Sequence, residues 1–183
     1  MNKRTHSIDT KAIDARSNDP SEQYSWSLEE YFQGRTYAWG LFEDRFGKVR
    51  RQFTVQVDGH WDGETLTLHE YFLYDDHKTE TRTWIIHKHD NACYRGAFGE
   101  IVGDAKGRIK GNTLSWKYTM NLKIGERTWR VNFDDQMHLQ PNGIMINRAT
   151  MSKWGFKLGQ VTLFFTPEKM LSAAPFILAP KQP

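Results

Sequence analysis

Cysteine is nearly absent: Cys93 stands alone in 183 residues. An internal disulfide is thereby excluded, and so is a zinc site built from several thiolates. Long apolar runs are missing as well, and no window reaches the roughly 20 apolar residues that a membrane-crossing helix needs. Residues 1–23, MNKRTHSIDTKAIDARSNDPSEQ, are polar throughout. They contain neither the apolar core of a signal peptide nor a cysteine for lipid attachment. The expectation is a mobile polar arm over 1–23 on a chain that is cytoplasmic and does not span a membrane. Charge of one sign is scarce too. The formal net charge is +3 with no basic block, so the sequence alone gives little reason to invoke a membrane surface, and nucleic acid is not expected as a partner.

What is abundant is aromatic side chain. Phe, Trp and Tyr make up 14% of the chain, with seven Trp, although the mean hydropathy is only −0.71. Large rings at alternating strand positions build a core from few residues. A chain of this length suits one domain, expected over residues 24–167.

The periodicity from Tyr24 onward is mostly two. Ser27–Phe32 reads as one helical turn, with Ser27 as cap and Glu30 three residues on. Gly34 then opens an aromatic-rich strand, and Lys48–Val57 alternates Val49, Phe53, Val55 and Val57 against Arg50, Gln52, Thr54 and Gln56. A hairpin follows in which Leu66, Leu68, Glu70, Phe72 and Tyr74 share a face. If Asp75–His77 forms its loop, opposed positions sum to 152. Leu66 then faces Ile86, Leu68 faces Trp84, and Glu70 faces Arg82. A second hairpin turns at Gly125-Glu126, which suits a type II′ turn. It opposes Leu122 to Trp129, Met120 to Val131, Tyr118 to Phe133 and Trp116 to Asp135.

Between the hairpins, glycines at 96, 99, 103, 107 and 111 read as bends in a curling sheet and not as a phosphate loop. After Leu139, Q-P-N-G reads as a type I turn closed by a glycine bulge, which directs Met145, Asn147, Ala149, Met151 and Lys153 inward. A two-residue loop would instead direct Ile146, Arg148 and Thr150 inward. Gly159–Phe165 is the last strand; Pro167 starts a short helix, E-K-M-L-S-A-A, and residues 168–183 comprise that helix and a Pro-rich tail. The sum is an all-β, antiparallel up-and-down β-barrel of about nine or ten strands with short terminal helices.

Several stretches resemble the bacterial family called domain of unknown function 3833 (DUF3833). They are Y-F-Q-G-R-T-Y-A-W-G-L-F-E-D-R-F-G (31–47), R-T-W (82–84), G-N-T-L-S-W-K-Y-T-M-N-L (111–122), F-D-D-Q-M (133–137) and N-R-A-T-M-S-K-W-G (147–155). The chain departs from the family pattern at Gln136, where a tryptophan is usual, and at Glu100, where an aspartate is usual. The resemblance implies no established activity. Many members look like lipoproteins, and members are often encoded near lipid-modifying enzymes, which implies an acyl-type ligand. A looser similarity to lipocalin or calycin barrels lies in the helical turn ending at Gly34 and the first strand carrying Trp39.

Two charged groups on an apolar face need an explanation, because an isolated buried charge shifts its pKa sooner than stay ionised. One reading is a structural Glu70–Arg82 bridge plugging one end of the barrel. The other is that both line a cavity and hold the polar head of a ligand. Asp135 beside Trp116, with Arg148 or Lys153 from the next strand and Asn147 as a donor, is a second polar cluster or a satisfied core carboxylate. His87 and His89 sit on the outer face with no third ligand, so neither a metal site nor a cofactor is expected. Cys93 is expected to be a small buried side chain.

The leading expectation is a non-catalytic barrel binding a hydrophobic small molecule or fatty acyl ligand. Trp39, Trp84, Trp116 and Tyr118 would form its walls, and Glu70, Arg82 and Asp135 its anchors. The alternatives are an isomerase or hydratase-like enzyme using Glu70 or Asp135 as acid or base, and a filled barrel serving as an interaction module.

Overall fold

Ten strands alternate up and down, and the last returns to pair with the first. A computed structural model of the chain describes residues 26–178. The arm expected over residues 1–23 lies outside them, as does the end of the Pro-rich tail. A short helix α1 (Leu28–Phe32) precedes β1 (Gly34–Asp44), β2 (Val49–Trp61), β3 (Thr65–Tyr74), β4 (Thr79–Lys88) and β5 (Cys93–Ala97). The chain continues through β6 (Ala105–Lys110), β7 (Thr113–Ile124), β8 (Arg127–Leu139), β9 (Met145–Lys153) and β10 (Phe156–Pro167). Each strand pairs antiparallel with its neighbour in sequence, and β1 pairs with β10 from Thr36↔Pro167 to Asp44↔Gly159. The ring of strands closes, although β4 meets β5 only over Ile85–Lys88 and β7 meets β6 only over Thr113–Lys117, with the β5–β6 connection bridging Ile101 to Met120.

Local chemistry sets the registers. Glu70 pairs with Arg82 and Leu68 with Trp84 across β3–β4, as the 152 rule requires. Trp116 pairs with Asp135 and Leu122 with Trp129 across β7–β8, where Gly125 takes φ +60° at the first position of the II′ turn. After Pro141 the glycine-bulge turn forms: Gly143 N–H donates to Gln140 O, and Met145 pairs with Leu139. Asn147 and Ala149 therefore face inward and are buried. The helix expected after Pro167 is a single 3₁₀ turn, Glu168–Met170.

Helix α1 closes one end of the tube. Ser27 Oγ caps it by accepting from Glu30 N–H at 3.3 Å. Its buried Glu29 accepts from Lys88 Nζ at 2.5 Å and from the Tyr94 hydroxyl at 2.9 Å. Burial alone would raise the Glu29 pKa, but the Lys88 and Tyr94 bonds outweigh it and hold the carboxylate below its ordinary range. Tyr31 donates its hydroxyl to Phe165 O at 3.1 Å, tying the helix to the far side of the barrel. Leu28 and Phe32 point down the lumen and are buried.

Two glycines expected to bend the sheet do something more specific. A Cβ at Gly96 or Gly107 would run into the Trp116 indole, so their bare backbones make the room that the ring occupies. Cys93 is half-buried and not enclosed as expected, with Arg108 Nη1 at 3.7 Å from its sulfur.

A Cβ at Gly59 would overlap the Phe32 carbonyl oxygen, which is backbone and has nowhere to go. Gly59→Ala should therefore lower stability by about 1–3 kcal/mol in urea unfolding. Gly99→Ala, which meets no atom within 4 Å, should stay within about 0.5 kcal/mol. Equal effects would mean that α1 does not pack this closely on β2.

Candidate functional site

The interior is hollow. A cavity of about 520 Å³ runs from Leu28 and Phe32 of α1 to the opposite end of the barrel, where half-buried Arg51 and exposed Lys123 line it. Its walls come from inward positions of β1, β2, β3, β4, β7, β8, β9 and β10, with Glu100 from the β5–β6 connection. Trp84 meets Trp116 edge-on at 5.7 Å and Tyr118 at 5.5 Å, while Tyr118 stacks flat on Phe133 at 4.8 Å. Edge-to-face and stacked rings fix one another, so the aromatic wall is rigid.

Glu70 and Arg82 are opposite each other, but they do not form the direct bridge that one of the two readings gave them. Arg82 donates its Nε–H to Glu80 Oε1 at 2.6 Å, and its guanidinium lies over the Phe72 ring at 4.6 Å. Glu80 also accepts from the Tyr74 hydroxyl at 2.7 Å, and Arg51 covers the Tyr74 ring at 3.4 Å. The lumen thus holds a network of Arg51, Tyr74, Glu80 and Arg82 in which Glu70 takes no direct share of the guanidinium. Burial pushes the Glu70 carboxyl up to about 7, Arg82 opposes this, Glu80 adds to it, and Trp84 offers its indole N–H. Glu80 goes the other way. Burial would raise it, but the Arg82 hydrogen bond and charge win and hold it ionised. Arg82 itself is destabilised by burial, which Glu70 and Glu80 together outweigh.

Asp135 is deeper and drier. It is buried, and its hydrogen bond comes from Asn147 Nδ2 to Oδ2 at 3.0 Å, not from the Trp116 indole. Its Oδ1 and the Oδ1 of Asn147 are buried without a partner among the described residues. An orphaned buried acceptor costs about 1–3 kcal/mol. Protonation of Asp135 would turn one of these orphaned acceptors into a donor. Burial raises the Asp135 pKa to about 7, against the Asn147 bond and with help from Asp134 and Glu70. Two carboxyl groups in one lumen therefore change charge near neutrality.

Of the ten side chains expected at the site, seven line this cavity: Glu70, Arg82, Trp84, Trp116, Tyr118, Asp135 and Asn147. Three do not. Trp39 is on the outer face of β1, 39% exposed, with its ring against Phe176 at 5.7 Å. The inward positions of β1 are the even-numbered ones, Ala38, Gly40 and Phe42. Trp39 instead belongs with Tyr37 under the C-terminal segment, where Leu178 N–H reaches Gln56 Oε1 at 3.0 Å. Arg148 is exposed outside, 3.5 Å from Gln160 Oε1. Lys153 faces inward by parity but sits at the rim, over the Trp129 ring at 4.0 Å. Sequence reasoning missed Arg51, Tyr74 and Glu80 as a charged group. Arg51 shares parity with Val49 and Phe53, and Glu80 falls opposite Phe72 in the 152 register, so the signal was present.

The chain matches the family described as "Protein of unknown function (DUF3833)" over residues 9–167 and belongs to it. A solved structure described as the S-type phycobiliprotein lyase CPES from Guillardia theta has a similar fold. It superposes with a TM-score of 0.55 at 8% identity, covering 79% of this chain and 92% of that one. Comparison with curated proteins finds no match. Among the described residues no helix is long and apolar enough to cross a membrane.

The carboxyls make stability depend on pH in a stated direction. Glu70 and Asp135 have ordinary values of 4.5 and 3.8 and reach about 7 in the fold. The folded chain binds their protons more tightly than the unfolded chain does. Stability should therefore be greatest below pH 4 as far as these two groups are concerned, and fall as pH rises to about 7. The slope is at most about 1.4 kcal/mol per pH unit for each group. Glu70→Gln and Asp135→Asn should each flatten the urea-midpoint profile between those limits. A wild-type profile parallel to both variants would refute buried, proton-holding carboxyls.

Proposed function

We propose that this DUF3833 chain binds a hydrophobic, acyl-type small molecule inside the barrel. The observation that carries the reading is one lumen joining a rigid aromatic and aliphatic wall to a few ionisable groups. A volume of about 520 Å³ falls within the range usual for small-molecule sites, roughly 300–1,000 Å³, and apolar walls with a few polar anchors are their usual lining. The apolar part of the ligand lies towards Leu28 and Phe32. Its polar end lies among Arg51, Glu80 and Arg82, where a guanidinium can take a carboxylate or hydroxyl. A fold shared with a phycobiliprotein lyase is in keeping with a small-molecule role.

A second reading makes the chain an isomerase or hydratase-like enzyme on such a ligand. It is favoured by Glu70 and Asp135, whose raised values of about 7 suit groups that give and take protons near neutral pH.

Native mass spectrometry after mild purification should retain a lipid adduct, and titration with fatty acids should change tryptophan fluorescence. Ala149, buried on the lumen wall, is the place to fill. Ala149→Phe should weaken binding at least tenfold, because the new ring takes the ligand's space, with about 1 kcal/mol or less lost in stability. A tightly filled core would instead lose about 1–3 kcal/mol on the same change. Undiminished binding by Ala149→Phe would refute the luminal site. For the enzymatic reading, Glu70→Gln or Asp135→Asn should abolish turnover of an enoyl or hydroxyacyl thioester while fatty-acid binding persists. If both amide variants turn the thioester over at the wild-type rate, that reading fails.

A further inference from the structure

Nine large hydrophobic side chains are exposed on the described surface, and four of them, Phe46, Val49, Trp154 and Phe156, cluster at the end of the barrel opposite α1. Phe46 is 79% exposed, Trp154 84% and Phe156 72%. They sit at or beside the tips of two hairpins, β1–β2 and β9–β10. Because β1 and β10 run together to Asp44↔Gly159, these tips project from neighbouring strands. The β7–β8 tip adjoins them through β8–β9 pairing as far as Asn132↔Ser152.

The unpaired charge around these rings is mostly positive, since the Asp44 carboxylate of the β1–β2 turn is taken by Arg50 at 2.6 Å. Arg45, Lys48 and Lys157 are exposed beside them, and Lys123, Arg127 and Arg130 continue the surface on β7–β8, with Glu126 as the exposed acid among these. None of the six cations forms an ion pair among the described residues. The acids of the neighbouring β3–β4 hairpin are already engaged: Asp76 pairs with Arg51 at 3.4 Å and Lys78 at 2.8 Å, and Asp75 accepts from Gln52 N–H at 3.2 Å.

The β9–β10 turn adds a second kind of observation. Trp154 and Gly155 form its two-residue loop with φ +52° and +80°. That left-handed pair is the natural place for Asn-Gly, and a bulky side chain there is strained. Among the described residues the ring obtains little in return: it is 84% exposed and lies under the Lys153 ammonium at 4.5 Å. A strained backbone that holds an indole out in water is explained by something outside the chain that takes the indole.

We infer that the Phe46, Trp154 and Phe156 tips dock this end of the barrel onto an anionic phospholipid surface. Aromatic rings would enter the headgroup layer, and the surrounding lysines and arginines would meet the lipid phosphates. Indoles favour that layer, and juxtaposed Lys and Arg add attraction that decays within a Debye length. A small apolar cluster ringed by unpaired cations fits a charged interface better than it fits a protein groove, which would bury the cations against matching acids. The inference rests on the tips and not on what fills the lumen.

The test is co-sedimentation of the full chain with phosphatidylcholine vesicles, with and without phosphatidylglycerol. Binding is expected to the mixed vesicles, weakening steadily as salt rises. Trp154→Asn should reduce it about tenfold while leaving the unfolding midpoint equal or higher, since Asn suits the left-handed turn. That opposite movement of binding and stability separates docking from damage to the fold. Phe156→Ser should act like Trp154→Asn on binding, and Lys48→Gln with Lys157→Gln should cost about fivefold per charge. Ala149→Phe should bind vesicles as wild type does, which keeps this result distinct from the luminal one. Failure to sediment with anionic vesicles at low salt overturns the inference, as does sedimentation indifferent to Trp154→Asn. A concentration-dependent self-association lost in the tip variants would overturn it in favour of a contact between copies.

Discussion

Closure of the sheet between β1 and β10 is the constraint from which the rest follows. Once those strands pair, every inward residue is committed to a shared lumen and every outward one to solvent or a covering segment. A ten-strand tube is wider than its side chains can fill from this sequence. Small inward residues such as Ala38, Gly40 and Ala149 alternate with rings, and the glycines of β5 and β6 cede their space to a single indole. The hollow is thus a product of strand number and residue size together.

Within that hollow the decisive electrostatic fact is that one guanidinium serves two carboxyls unequally. Arg82 has Glu70 opposite it on β3 and Glu80 two residues away on its own strand. It bonds Glu80, because an i, i+2 pair lies on one face of one strand and lets the cation spread over Phe72. Glu80 stays ionised; Glu70, with the Coulomb field but not the bond, is left to burial, which favours its neutral form. Asp135 follows the same logic with only an amide to support it. A lumen of this kind holds its charge close to balance while keeping titratable protons inside an apolar wall.

Much of this was legible in the sequence, and the reasons are local. The two hairpin registers, the glycine-bulge turn and most of the strand parity depend on residues within a few positions of one another and formed as read; Val49, expected inward with Phe53, is turned out by a bulge opposite Phe42 and Glu43. What escaped depends on distant chain. Trp39 looked like a wall residue because large rings usually turn inward, and nothing near it announces that Phe176 covers the outside of β1. Arg148 and Lys153 were placed near Asp135 by strand adjacency, yet one has the wrong parity and the other lies past the last layer of the lumen. The Glu70–Arg82 opposition formed as register, and both side chains line the lumen, but the direct bridge of one reading did not form, since backbone pairing does not choose a side-chain rotamer. Arg51 and Glu80 were overlooked although parity placed both inside, because charged residues near a hairpin end read as solvent-facing.

Helix α1 is pinned at three corners, by Glu29 to Lys88 and Tyr94 and by Tyr31 to the β10 backbone. With its base stoppered so firmly, the tube would admit the proposed ligand from elsewhere than α1. A ligand entering from the opposite end would go in apolar portion first, and its orientation would be decided at the threshold, before the deep wall is touched.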